Sequence, residues 1–244
     1  MLYLIGLGLN VKAISMQGME ALKKCGKIYL ENYTVDFPYD AKELEKVIGK
    51  KIISSGRDFF ENGMKELVKK AKKENIALLV YGSPLTATTH ISLIQEAKKE
   101  KIKYEVIYSA SILDAISEIG LQAYKFGKIA SMPKWDNEKN FNPESFVQII
   151  KENNSIDSHT LILIDIGLDF KNALEQLEIS MKNKKLKLDK IIVCSRLGIG
   201  KGGIFYDKAS KLRNKKIKKP YCMIIPSKLH FIEKEVLKQQ KTLG

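Results

Sequence analysis

The chain has 244 residues, 44% of them hydrophobic and 29% charged, enough apolar material for one or two domains with real cores. Its 42 basic against 28 acidic residues give a net charge of +14, a field that attracts polyanions or an acidic protein partner. No apolar run approaches the roughly 18 residues of a membrane span, and the three scattered cysteines and three histidines lack the spacing of a disulfide framework or a zinc site. We therefore expect no membrane segment and no metal, and a reducing cytoplasm as the location. The opening MLYLIGLGLN is apolar but has no basic segment before it, and it reads as a strand rather than a signal peptide.

In chain order, strands are predicted over residues 2–9, 28–33, 76–81 and 104–108 in the first half, and over 161–166, 191–195 and 221–225 in the second. Helical stretches separate them, and this alternation is an α/β pattern. Ser15 is a candidate cap for a first helix with Met16, Met19 and Leu22 on one face. Tyr108-Ser109-Ala110-Ser111 is the best domain boundary, dividing the chain into 1–110 and 111–244. Residues 133–143, with Trp135, Asp136, Asn137 and Asn140, form the longest irregular connection, either a mobile lid or an exposed loop. Asn142-Pro143-Glu144 reads as a cap, a first-turn proline and an acidic first turn for a following helix.

Gly6-Leu7-Gly8 suggests a dinucleotide fingerprint, yet the third glycine is replaced by Val11 and the helix starts too late for a pyrophosphate, although Glu31 stands where a ribose-binding acid would. Gly198-Ile199-Gly200-Lys201-Gly202-Gly203 fails as a Walker loop because Gly202 replaces its Ser or Thr and Ser195 its first glycine. Gly82-Ser83-Pro84-Leu85-Thr86-Ala87-Thr88-Thr89-His90 runs from a strand into a helix. Its small residues leave room for a ligand, and its hydroxyls could equally cap the helix. The lysine runs 182–190 and 211–219 contain no aromatic residues to stack on bases, and the chain has only three arginines, Arg57, Arg196 and Arg213. Solvated surface is the plain reading of these runs, and docking on an acidic or ribosome-associated partner the alternative.

On the residues Tyr3 to Leu9, Glu31 with Tyr33-Thr34, the 82–90 loop, Ser111-Ile112 and Tyr124-Lys125-Phe126-Gly127-Lys128, the sequence resembles the diphthine synthase family of tetrapyrrole-methylase-like methyltransferases. His159-Thr160-Leu161 with Asp165, Ser195-Arg196-Leu197-Gly198, and Pro226 with Leu229-His230 extend the resemblance over essentially the whole chain.

The resemblance implies two α/β domains of the tetrapyrrole methylase type with S-adenosyl-L-methionine in the cleft between them, and a homodimer. It carries cofactor contacts onto Leu9, Ser83, Thr86, Ser111, Ile112, Ile164, Leu197 and Tyr221. It further implies methylation of the amino group of the 3-amino-3-carboxypropyl-histidine of translation elongation factor 2, in diphthamide biosynthesis, with no metal, no membrane and no direct nucleic-acid contact. Two positions depart from the family pattern: Ser83 stands where its G-D-P has aspartate, and Tyr221 where relatives often have histidine. Candidate bases are His90, Glu31, Asp165 and His230, with no one of them preferred; His90 also reads as a helix-end histidine fixing its own loop, His230 as a first-turn residue of the last helix, and Asp165 as a structural hydrogen-bond acceptor. Tyr124 to Gly127 is either a substrate-facing edge or a packing corner. A precorrin-type methyltransferase and a basic RNA-binding module are the alternatives.

Overall fold

The computed structural model describes residues 1–200 and 202–240, and the side chains of all of these except 60–62. They form two compact units, Met1–Asp114 and from Ala115 onward.

The first unit contains strands β1 (Leu2–Gly6), β2 (Lys27–Glu31), β3 (Ile53–Ser55), β4 (Ile76–Val80) and β5 (Tyr104–Ile107), and helices α1 (Met16–Lys23), α2 (Ala41–Ile48), α3 (Arg57–Lys70) and α4 (Ile91–Lys99). The sheet order is β3-β2-β4-β1-β5 and every pairing is parallel. The sequence reason is direct: β1 and β4 are uninterrupted apolar runs buried at every position, as a strand covered on both faces must be. Helices return the chain over those faces. In α2 the Asp40 carboxylate caps the start by accepting from the Glu43 amide at 2.8 Å, Leu44 and Ile48 bury one stripe, and Gly49 ends the helix at φ 73°. Ser15 caps α1 as its sequence suggests, accepting from the Gly18 amide at 3.1 Å. Leu22 of the predicted apolar face is buried, but Met16, at the first helical position, is 83% exposed.

A short helix, α5 (Ile112–Ala115), follows β5. Beyond it the second unit contains β6 (Ala130–Met132), α6 (Ser145–Ser155), β7 (Thr160–Ile164), α7 (Phe170–Asn183), β8 (Lys190–Ser195), β9 (Gly203–Lys208), α8 (Ala209–Leu212), β10 (Tyr221–Ile225) and α9 (Phe231–Gln240). Its sheet order is β6-β7-β10-β8-β9. Only β6 and β7 are parallel, because β10 inserts antiparallel between β7 and β8, and β9 folds back on β8. In α7 the residues Phe170, Ala173, Leu174, Leu177 and Met181 repeat at helical spacing and are buried against this sheet.

Two local expectations change. α6 starts at Ser145, with Glu144 rather than Asn142 at the cap position and no side-chain cap bond, so Pro143 lies outside the helix. Residues 133–143 are not shapeless: Asp136 and Phe141 exchange backbone hydrogen bonds of 3.0 and 2.9 Å, and the Trp135 indole donates to the Pro143 carbonyl at 3.1 Å. No helix among the described residues is long and apolar enough to cross a membrane.

Candidate functional site

In the first unit, the turns at the carboxyl ends of β1 and β4 are built around two glycines facing each other. Gly8 and Gly82 exchange backbone hydrogen bonds of 3.1 and 2.9 Å, at φ 66° and 72°, in the left-handed region that favours glycine. Gly6 is required by close approach, since a Cβ there would lie 2.6 Å from the Gly82 carbonyl oxygen and 2.9 Å from the Ser109 Cβ. The G-x-G is thus a clasp between neighbouring strand ends, which is why a dinucleotide fingerprint could fail here and the glycines persist.

Around that clasp lie the first five candidate residues. Leu9 is buried, and its carbonyl accepts from the Tyr81 hydroxyl at 2.8 Å. Ser83 is buried, its carbonyl accepting from the Thr86 amide at 3.2 Å, and Thr86 is half-buried. Ser111 closes a reciprocal cap on α5: its amide and hydroxyl donate to Asp114 Oδ2 at 2.6 and 2.9 Å, and its Oγ accepts from the Leu113 amide at 3.2 Å. These two donors hold the Asp114 carboxyl below the usual aspartate range. Ile112 is the first residue of α5 and half-buried. All five follow β1, β4 or β5 at the carboxyl edge of the sheet, where open parallel sheets bind ligands.

The loop after β4 is fixed by His90. Its Nδ1 lies 3.2 Å from the Pro84 carbonyl oxygen, a pure acceptor, so Nδ1 carries the proton and donates. Burial pushes the His90 pKa below the ordinary histidine value, and the negative charge of Glu31 and the Pro84 bond only partly oppose it. Glu31 is fully buried and folds its own loop: Oε1 accepts from the Tyr33 and Thr34 amides at 2.7 and 2.8 Å, and Oε2 from the Thr34 hydroxyl at 2.7 Å.

In the second unit, Ile164, Leu197 and Tyr221 gather at one end of the sheet. The register sets this: Cys222 opposes Leu163 and Tyr221 opposes Ser195, so the end of β7, the start of β10 and the chain after β8 coincide. Ile164 is half-buried and packs against the core. Leu197 is buried behind Ser195 and Arg196, which bind the chain entering β10 through Lys218 and Lys219 carbonyls at 2.7 and 2.8 Å. The Tyr221 ring meets Phe170 edge-on at 5.9 Å and its hydroxyl donates to the Leu168 carbonyl at 3.2 Å. The side chain therefore belongs to the core. The glycine run after Leu197 is a tight link between β8 and β9, where a Cβ on Gly202 would strike the Arg196 carbonyl oxygen at 2.3 Å; its Lys201 lies outside the described residues.

The remaining base candidates differ in surroundings: the Asp165 carboxylate is held by loop amides, and the His230 side chain is exposed. Asp165 accepts from the Lys134 and Ile166 amides at 3.1 and 2.9 Å. Within the Tyr124 to Gly127 stretch, Lys125, Phe126 and Gly127 form a packing corner, whereas Tyr124 is 82% exposed. Lys125 donates to Glu233 at 2.8 Å, Gly127 is forced by Asn153, whose Oδ1 would lie 2.2 Å from a Cβ, and His159 binds Glu233 through Nε2 at 3.2 Å. The His230 amide also donates to Glu233, at 2.7 Å. Glu233 was missed in the sequence because an acid in a polar last helix looks like any surface residue.

The candidate residues of the first unit offer the Ser83 and Thr86 hydroxyls beside apolar Leu9 and Ile112, a mix that fits the chemistry of S-adenosyl-L-methionine, and those of the second unit offer apolar Ile164 and Leu197; among the described residues no cluster of three acids, cysteines or histidines could hold a metal ion.

An all-parallel α/β unit with glycine turns at its carboxyl edge, followed by a mixed-sheet α/β unit, defines a class. Residues 1–207 match the family described as Tetrapyrrole (Corrin/Porphyrin) Methylases, and the chain belongs to that family. Within it, the chain is similar from end to end to diphthine synthases. It is 39% identical to that of Methanocaldococcus jannaschii and 37% identical to that of Methanococcus maripaludis, covering 98% of each relative. Diphthine methyl ester synthase of Saccharomyces cerevisiae is 45% identical over 168 residues, 68% of this chain, and the match spans only 55% of that yeast protein. A crystal structure of diphthine synthase superposes with a TM-score of 0.90 at 32% identity, covering 99% of this chain and 96% of that one.

Proposed function

We propose that the protein is an S-adenosyl-L-methionine-dependent methyltransferase that acts on translation elongation factor 2. It methylates the amino group of the 3-amino-3-carboxypropyl-histidine to give diphthine in diphthamide biosynthesis, working in the cytoplasm as a homodimer. The observation that carries this reading is the end-to-end similarity to archaeal diphthine synthases, 37–39% identical over 98% of their length. Leu9, Ser83, Thr86, Ser111, Ile112, Ile164, Leu197 and Tyr221 are the proposed cofactor contacts.

Bound S-adenosyl-L-methionine supplies a methyl group on a sulfonium, open to in-line attack by a neutral amine. The chain's task is then to bind and orient. The buried Ser83 and Ser111 present main-chain groups held by their own turns, and the Gly8–Gly82 clasp fixes the edge on which they sit. Glu31 and Asp165 have their carboxylates occupied by loop amides, and His90 holds its loop through Pro84. Orientation of the amine, worth up to roughly 7–11 kcal/mol in well-placed systems, accordingly carries the acceleration.

Two groups of relatives carry different product names, diphthine and diphthine methyl ester. The test is transfer of labelled methyl from S-adenosyl-L-methionine to elongation factor 2 with and without the 3-amino-3-carboxypropyl group. Label only on the modified factor supports the reading; label on neither, with cofactor bound, contradicts it.

A further inference from the structure

In the second unit a groove of about 620 Å³ opens between the end of α7, the segment 185–189 and the corner where β9 meets α8. Lys182, Lys185, Lys187 and Lys208 line it, all exposed, and among the described residues none of the four makes an ion pair. Neighbouring cations differ: Lys184 pairs with Glu144 at 3.5 Å, Lys211 with Asp207 at 4.0 Å, and Arg213 with Glu178. Of the two acids on the groove wall, Glu178 is therefore already neutralised, leaving Asp189 against four ammonium groups. Between the lysines the half-buried Leu186 and Leu188 supply an apolar floor.

We propose that this groove docks an acidic segment of a protein partner, with carboxylates on the lysine rim and an aliphatic side chain on Leu186 and Leu188. Unpaired like charges gathered around an apolar strip favour a counter-charged, partly hydrophobic occupant. A nucleic acid fits less well, because the groove holds neither an arginine fork nor an aromatic ring. The groove is also remote from the candidate cofactor residues of its own unit. Lys190 opposes Lys208 at the groove end of the β8–β9 pair and Ser195 opposes Gly203 at the other, roughly 17 Å away at about 3.3 Å per residue. It is therefore a docking site separate from the chemistry, and the inference stands whatever the methyl acceptor is.

The probe is a short fluorescein-labelled peptide of repeated Glu-Glu-Leu, titrated with the full chain and followed by anisotropy. We expect binding that weakens steeply with salt, and a loss of roughly tenfold or more when Lys182, Lys185, Lys187 and Lys208 are all replaced by glutamine. The double variant Lys185→Gln with Lys187→Gln should fall between, and cofactor affinity should not change in either. Equal binding by the fourfold variant overturns the proposal, as does equal binding of a Ser-Ser-Leu peptide. A single-stranded RNA that binds more tightly than the peptide, and is lost in the same variant, reassigns the groove to nucleic acid.

Discussion

Glu233 has no exposed surface, yet four donors reach its carboxylate: the Gln122 and His230 amides, Lys125 Nζ and His159 Nε2. Burial raises its pKa, but the Lys125 ammonium and the three other donors outweigh it and hold the group at about 2, against an ordinary value of 4.5. A carboxyl depressed in the folded state stabilises above its unfolded value, and that contribution, about 3 kcal/mol, disappears as pH falls from 4.5 through 2. His159 adds to the same trend. Its Nδ1 accepts from the Ser227 amide at 3.0 Å and burial pushes its pKa below 6.5, so the unfolded chain takes up this proton first as pH drops below 6.5. Urea midpoints measured from pH 7 to 3 should therefore fall steadily, and Glu233→Gln should flatten the slope below pH 4.5. Glu233→Ala should cost about 3–5 kcal/mol at neutral pH, because it leaves the Lys125 ammonium without its counter-charge and the buried His159 Nε2–H without its acceptor. Tyr221→Phe is the opposite case: losing the bond to Leu168 should cost about 1 kcal/mol, while cofactor dissociation, measured by calorimetry, stays unchanged if only the main chain faces the ligand.

At the level of elements, legibility followed burial, with the half-buried edge strand β5 the exception. The interior strands β1, β2 and β4 of the first sheet and β7, β8 and β10 of the second are nearly continuous apolar runs, and each stands out in the sequence. The unpredicted strands β3, β6 and β9 are all at sheet edges, short or half-exposed, where one face meets solvent and the apolar signal breaks. Strand ends were read too long for a related reason: Leu7 and Leu9 are buried, but in the clasp beyond β1 rather than in the ladder. The site was legible as loops and not as roles, since hydrogen bonds between Ser111 and Asp114, or His90 and Pro84, depend on turns that no spacing rule prints. The clasp makes a sharp prediction. Gly6→Ala drives a methyl group against the Gly82 carbonyl and Ser109, where backbone must move, so both the melting temperature and cofactor binding should fall together. Ser111→Ala, which removes only the hydroxyl of a helix cap, should cost about 0.5–2 kcal/mol.

Across the whole molecule, the +14 charge separates into neutralised and unneutralised parts. Lys125, Lys128, Lys184 and Arg213 hold acids within the second unit, whereas the groove lysines do not, so ionic strength should weaken partner binding far more than folding. Ser83 tests how far this chain's own variation reaches the chemistry. If Ser83 meets the cofactor through its main chain, Ser83→Asp leaves the dissociation constant unchanged; a clear shift assigns the side chain a role. The most direct test of the proposed activity is the mass of the histidine-bearing tryptic peptide of 3-amino-3-carboxypropyl-modified elongation factor 2, after incubation with the purified protein and S-adenosyl-L-methionine. Stepwise gains of up to three methyl groups are expected for diphthine, with a fourth marking the methyl ester; an unchanged mass under conditions where the cofactor binds would contradict the account.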